Sequence, residues 1–398
     1  MRLYDELVWR GLVQDATEGL GDALEAGPLT LYIGYDPTAS SLHAGNLQQV
    51  ITMRRFQLRG HTVIALAGGG TGLIGDPSGE SVERALNDEA TVREWAERIE
   101  GQMRRLLPDE TLFLNNRAWL EPLTAIELLR DVGKHFPMGY MLAKESVKTR
   151  VHGEGMTFTE FAYMLLQSYD YQQLFDRHGC RLQMGGSDQW GNITAGIEFI
   201  RRTRGERVHG LTTPLLLRAD GQKFGKSEEG AVWLDPERTS PYEFFQFFLN
   251  TADDQVGMLL RRLALLPPEE IEALEAAPPE TRAAQRALAE HLTAMVHGED
   301  GLRAAKAQTE AAFAGGEWRI EDVQTIPLGS DATWPAVFLE ARLVPSLSEA
   351  RRLIKGGGLY VNDEKLDDDS APPAITPADE KPLVLRKGKR ERRAVRLR

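Results

Sequence analysis

A single cysteine, Cys180, stands in the 398 residues of this chain. That excludes an internal disulfide framework and fits a cytosolic protein. No apolar run is long enough to cross a bilayer, which excludes a membrane-spanning helix. The start, Met1-Arg2-Leu3-Tyr4-Asp5-Glu6, lacks the uninterrupted apolar stretch of a secretory signal. There is no HExxH, no paired CxxC and no GxSxG, so metallopeptidase, zinc-site and hydrolase-elbow chemistry have no residues to stand on. Positive charge is not in excess: a net charge of −12 excludes a protein that coats nucleic acid over its whole surface.

What is present is a chain with 42% hydrophobic and 27% charged residues, long enough for two or three domains. Its charge is uneven. From Lys381 onward the tail carries Arg386, Lys387, Lys389, Arg390, Arg392, Arg393, Arg396 and Arg398 against Glu391 alone. An acidic body with a basic end fits local RNA contact or a solvated tail.

The hydrophobic pattern divides the chain. Leu29-Thr30-Leu31-Tyr32-Ile33 reads as a buried strand and Asp36-Pro37-Thr38 as a turn. A helix from about His43 to Arg59 follows, with Gly60 as its stop, and Val63–Ala67 is a second strand. So compact a strand–helix–strand unit requires a parallel sheet with a right-handed crossover. Thr157-Phe158-Thr159-Glu160 is a capping box opening a helix to about His178, which Gly179 ends. Arg181–Met184 is a strand that Gly185-Gly186-Ser187-Asp188-Gln189 turns into a further helix. The expected fold is α/β: a doubly wound, Rossmann-like parallel-sheet domain over residues 1–222. Residues 223–322 read as a loop followed by an all-α domain, with Ser240-Pro241-Tyr242-Glu243 as a helix start. After a linker near 321–333, a small α+β unit over residues 333–398 holds a helix capped at Ser346 and a hairpin turning at Asn362-Asp363.

Ligands of such sheets bind beyond the carboxyl ends of the strands. Leu42-His43-Ala44-Gly45-Asn46 and the run Gly68–Gly72 both belong at that edge. Free amides at the helix start, with His43, Asn46 and a glycine that permits close approach, make an anion site. Tyr163, Gln167 and Asp170, at i, i+4 and i+7, form a polar stripe on a helix the sheet should cover, so they would line a pocket. Asp76 would pair an ammonium group or start a turn; Asp188 and Gln189 would take ribose hydroxyls or cap a helix. Lys223 and Lys226, in Lys223-Phe224-Gly225-Lys226-Ser227, would offset charge on a leaving pyrophosphate. The stretch from Gly221 to Ser227 is one residue short of Walker spacing.

Taken in order, Tyr32–Ala39, Leu42–Asn46, Gly72–Gly79, Gly185–Asn192 and Lys223–Ser227 resemble the motifs of the bacterial tyrosyl-tRNA synthetases, a class I family. The resemblance runs nearly the full chain. It implies ligation of L-tyrosine to tyrosine tRNA through tyrosyl-adenylate, with ATP and Mg2+ and no tightly bound cofactor, in a cytoplasmic homodimer. It also implies site roles. Tyr32 and Asp170 would hold the substrate phenol; Tyr163, Gln167 and Asp76 its ammonium; Asn115 would line the same pocket. Gly34, Asp36, Gly45, Asn46, Gly186, Asp188, Gln189 and Ser227 would hold ATP and the adenylate. Thr38, His43, Lys223 and Lys226 would act on the phosphates in the transition state. The helical domain would recognise the anticodon. The last unit resembles a ribosomal-protein RNA-binding module, whose Arg351, Arg352 and Lys355 would meet tRNA. Glu80 departs from the family by standing where many relatives have a lysine, and Gln49 replaces a smaller threonine. Two other readings stand beside this one: a tryptophan-specific relative, and a tRNA-binding protein with this fold but no catalysis.

Overall fold

The structure is a computed structural model. It describes residues 1–78, 87–108, 110–144, 147–148, 155–217, 224, 226–227, 230–314, 323–327, 332–367, 373, 382–388 and 391–398, with backbone alone at 226–227, 230 and 311–314. Glu80, Lys223 and Gly225 lie outside the described residues, as does the 218–222 stretch.

The first sheet has strands β1 (Asp15–Ala16), β2 (Thr30–Tyr35), β3 (Thr62–Ala67), β4 (Leu112–Asn115), β5 (Cys180–Gly186) and β6 (His209–Thr213), in the order β1-β6-β5-β2-β3-β4. All pairs are parallel except β1 with β6. The central strands are apolar runs buried on both faces, as a helix-covered parallel sheet demands. Strand order reverses between β2 and β5, so a crevice opens beyond their carboxyl ends.

The helix between β2 and β3 differs from its sequence reading at its start. Ala44–Asn46 is a 3-10 turn and the α-helix proper is Leu47–Leu58. The helix Phe158–His178 has the expected capping box, Thr157 with Glu160, and ends at Gly179 with φ 62°. That left-handed value is one glycine adopts without strain.

The all-α unit comprises Pro241–Leu249, Asp253–Leu263, Pro268–Glu275 and Ala283–Ala314, the last kinked at Gly298 with φ 72°. It shares one hydrophobic core with the sheet domain, running from Leu3 and Phe56 to Phe248 and Leu292. Two buried arginines fasten the units. Arg55 donates to the carbonyls of Arg262 at 2.9 Å and Ala264 at 2.6 Å. Arg10 donates to those of Arg261 at 3.0 Å and Leu266 at 2.8 Å. Between them they satisfy the Arg261 and Arg262 carbonyls in the last turn of the helix Asp253–Leu263, groups a helix end leaves without partners, and those of Ala264 and Leu266 just beyond it.

A short hairpin, β7 (Lys226–Ser227) with β8 (Gly230–Ala231), precedes this unit. The C-terminal sheet has β9 (Gln324–Ile326), β10 (Leu359–Val361), β11 (Glu364–Lys365), β12 (Leu383–Lys387) and β13 (Glu391–Leu397), ordered β11-β10-β12-β13-β9 around its own core. β9 corrects the sequence reading: it lies in the stretch read as linker, yet pairs in parallel with β13. The basic tail is strand rather than fraying chain, and part of its charge is spent internally. Arg386 pairs Asp363 at 3.0 Å and Arg393 pairs Glu243 of the helical unit at 2.6 Å.

Candidate active site

β2 carries the buried Tyr32 within it and leads at its carboxyl end into the half-buried Asp36. Tyr32 is buried, and its hydroxyl has no hydrogen-bond partner among the described residues. Such a group costs on the order of 1–3 kcal/mol. Burial, with Asp170 next in weight, holds its phenol well above the usual range. Asp170 is buried too, and accepts from Trp119 Nε1 at 2.7 Å and Asn116 Nδ2 at 2.9 Å. Burial nevertheless pushes its carboxyl up to about 7. The Tyr32 hydroxyl, without a partner among the described residues, thus lies within the electrostatic reach of a buried carboxyl that Trp119 and Asn116 hold in place.

The polar stripe on Phe158–His178 behaves as its spacing predicts. Tyr163 donates from its hydroxyl to Asp36 Oδ2 at 2.7 Å, and Asp36 Oδ1 accepts from Thr71 at 2.7 Å. Gln167 donates to Gln189 Oε1 at 3.2 Å and accepts from Asn192 at 2.9 Å. Asp76 is buried and accepts from Gln189 Nε2 at 2.6 Å and the Ser78 amide at 2.9 Å. Gln189 is therefore held inside this amide–carboxylate network. Three carboxylates, Asp36, Asp76 and Asp170, converge on one crevice beside Tyr163 and Gln167, an arrangement that selects a cation.

Glycines keep the crevice open. A Cβ on Gly34 would meet nothing within 4 Å, so the exposed face of central β2 is bare. At Gly186 a Cβ would stand 2.6 Å from Asp188 Oδ1, so only glycine lets that carboxylate close over the end of β5. Thr38 is exposed at the rim.

The amides at the helix start are not free, contrary to the sequence expectation. The Gly45 amide donates to His43 Nδ1 at 3.0 Å and the His43 amide to Asn46 Oδ1 at 2.9 Å. Because Nδ1 accepts, the neutral imidazole carries its proton on Nε2. The donor offered to an anion is thus a side chain. Nor does Gly45 await a ligand: the Phe224 carbonyl lies against it, 2.8 Å from where a Cβ would be. The Phe224 amide donates to Leu216 O at 2.8 Å, and its ring packs on Phe247 and Phe248 of the helical unit at 5.3 and 6.1 Å. Beyond β8, Ala44 donates to Val232 O at 2.8 Å and Leu234 to Leu42 O at 2.9 Å. The two distant signatures are thereby joined. Lys226 and Ser227 form β7 within this hairpin.

Sequence reasoning missed Asn116, Trp119, Thr71 and Asn192. Asn116 links the Gly70 amide, Thr71 and Asp170. Its neighbour Asn115 accepts instead from the Arg117 amide at 3.0 Å and faces Gly69. The signal was an Asn-Asn pair ending the apolar run 112–114. Gln49 donates to Thr213 at 2.8 Å, on the β6 side of the crevice. In the C-terminal unit Arg351, Arg352 and Lys355 are exposed on one helix, Leu347–Lys355, with Arg352 also paired to Glu349.

Comparison with known proteins agrees with this geometry. The family model of tRNA synthetases class I (W and Y) matches residues 24–314, and that of the S4 domain residues 336–372. The chain is 51% identical to a tyrosine–tRNA ligase of Bacillus caldotenax over 93% of each chain. It is 48% identical to one of Roseiflexus castenholzii over 99% of each. Among solved structures, a C-terminally truncated mitochondrial tyrosyl-tRNA synthetase of Aspergillus nidulans superposes with TM-score 0.71 at 30% identity, covering 78% of this chain and 94% of that one.

Proposed function

The chain belongs to the class I tRNA synthetases, among their tyrosine–tRNA ligases, and from that membership we propose how its residues divide the work. It is an ATP-dependent enzyme that joins tyrosine to tRNA. In the first step the tyrosine carboxylate attacks the α-phosphorus of ATP, and the bond to the β,γ-pyrophosphate breaks. In the second, a ribose hydroxyl at the tRNA end takes the tyrosyl carbonyl and AMP leaves. No protein nucleophile is needed; position and electrostatics carry the reaction.

Tyr32 and Asp170 hold the substrate phenol. The unpaired Tyr32 hydroxyl donates to its oxygen, and its own O–H donates to Asp170. Phenylalanine would leave the buried Tyr32 hydroxyl without a partner and offer Asp170 no further donor. Tyr163, Gln167 and Asp76 surround the ammonium, with Asn115 at the pocket's edge. The bare strand at Gly34, with Asp36, Gly186, Asp188 and Gln189, carries the adenylate, and Asn46 turns its Nδ2 towards the ribose. Thr38 and His43 Nε2 donate to the triphosphate. Gly45 and Ser227 hold the two signatures against it, and Lys223 and Lys226 offset charge on the leaving pyrophosphate. Magnesium would accompany ATP, as the resemblance implies, and would offset charge on its phosphates.

Residues 1–222 make the catalytic domain, 223–322 the signature loop and anticodon-recognition domain, and the C-terminal unit, with Arg351, Arg352 and Lys355, a tRNA contact. Among the described residues no helix is long and apolar enough to cross a membrane, and the enzyme acts in the cytoplasm. It works as a homodimer. Ile126, Leu129, Met138 and Phe158 are exposed by 69%, 58%, 60% and 74% between β4 and the stripe helix, an apolar surface that a second copy would cover.

The observation that supports the reading is the apposition of Gly45 and Phe224, one residue from each signature. The test is exchange of labelled pyrophosphate into ATP. Exchange that requires tyrosine supports it; exchange driven by tryptophan, or tRNA binding without exchange, overturns it.

A further inference from the structure

The indole of Trp233 is bound to His43 in two ways. The backbones pair as antiparallel neighbours, through the hydrogen bonds of Ala44 and Leu234 given above. The rings then meet edge to face, centroids 6.2 Å apart and planes at 71°. Trp233 is itself pinned. Its amide donates to Thr239 Oγ1 at 3.0 Å. The Arg238 guanidinium lies over the indole, 3.4 Å from the centroid, and donates to Ser40 Oγ at 3.1 Å. Ser40 stands three residues before His43. The contacts therefore close a circuit: Ser40, Arg238, Trp233, His43 and back along the chain.

We propose that Trp233, held by Arg238, is a positioning residue for the ATP site, fixing the His43 ring and tying it to the lysine signature. The inference rests on the reading that His43 donates to the triphosphate. Its physical content is orientation. The Gly45 amide sets the tautomer of the imidazole, and the indole adds a ring contact that further restrains where Nε2 points. The cation over the indole removes its freedom in turn. The link also runs to the other signature. Lys226 pairs with Ala231 across the hairpin, and only Val232 separates Ala231 from Trp233. The backbone of β7 is therefore linked to that of His43 through β8, Val232 and Trp233.

The test is single-turnover formation of tyrosyl-adenylate by the full chain, with tyrosine affinity measured alongside. Trp233→Leu is expected to slow the step by about tenfold, short of the roughly hundredfold that a full 1 Å misplacement can cost, with tyrosine affinity unchanged. Trp233→Phe keeps a ring edge and is expected to stay within about twofold of the parent; Arg238→Gln falls between. In a His43→Ala background Trp233→Leu should cost nothing further. The inference is overturned if Trp233→Leu forms adenylate at the parent rate, if its loss multiplies with that of His43→Ala, or if Trp233→Phe is as slow as Trp233→Leu. Should Trp233→Leu not fold, the cycle of Arg238→Gln with His43→Ala answers the same question. His43→Ala at the parent rate would instead remove the reading beneath it, a result distinct from a slow His43→Ala beside a fully active Trp233→Leu.

Discussion

Gly45 of the first signature and Phe224 of the second touch: a Cβ added to Gly45 would stand 2.8 Å from the Phe224 carbonyl oxygen and 2.8 Å from His43 Cε1. One obstacle is backbone and cannot rotate away. Gly45→Ala is therefore expected to part the signatures and slow adenylate formation by about a hundredfold. Tyrosine affinity, measured by equilibrium dialysis, should be retained, because Tyr32 and Asp170 lie deeper on other elements.

Burial pushes the Asp170 carboxyl up to about 7 in the unliganded enzyme. A phenol donates to the ionised carboxylate, so tyrosine binding favours that form. Tyrosine affinity should weaken as pH falls from about 8 to about 6, and Asp170→Asn should bind weakly with little pH dependence. Calorimetry at several pH values checks this. The fold carries the opposite slope. Between the ordinary carboxylate range and about 7 the folded chain keeps a proton that the unfolded chain has released, so this group's contribution to stability falls as pH rises. Asp170→Asn should flatten that window in denaturant titrations.

Arg55 is buried among carbonyls of the helical unit, and burial lowers its guanidinium to about 9. Arg55→Met would leave the carbonyls of Arg262 and Ala264 short of a donor. Unfolding free energy should drop by about 2–3 kcal/mol, read from urea midpoints.

Phe158 is exposed by 74% at the start of the stripe helix. Phe158→Asp should leave the monomer fold intact and lower the mass seen by sedimentation from two chains to one. A parent chain that sediments as a monomer would remove the proposed interface.

Much of this was legible because local chemistry and global fold agree. The capping boxes at Thr157 and Ser240, the stop at Gly179 and the turn at Asn362-Asp363 are set by neighbouring residues, and each stands where the sequence put it. The stripe Tyr163, Gln167, Asp170 followed from spacing plus the expectation of burial. What was hidden depends on contacts between distant residues. No local pattern says that Asn46 and His43 consume the first amides, or that Asn116 rather than Asn115 reaches Asp170. β9 was invisible because three residues, Gln324–Ile326, become a strand only beside β13.

The central claim is that both signatures act on one nucleotide. Rapid-quench measurement of tyrosyl-adenylate formation by Lys226→Ala tests it most directly. The account predicts a rate lowered by about a hundredfold or more, with tyrosine affinity unchanged, as for a group used mainly in the transition state. An unchanged rate would contradict it.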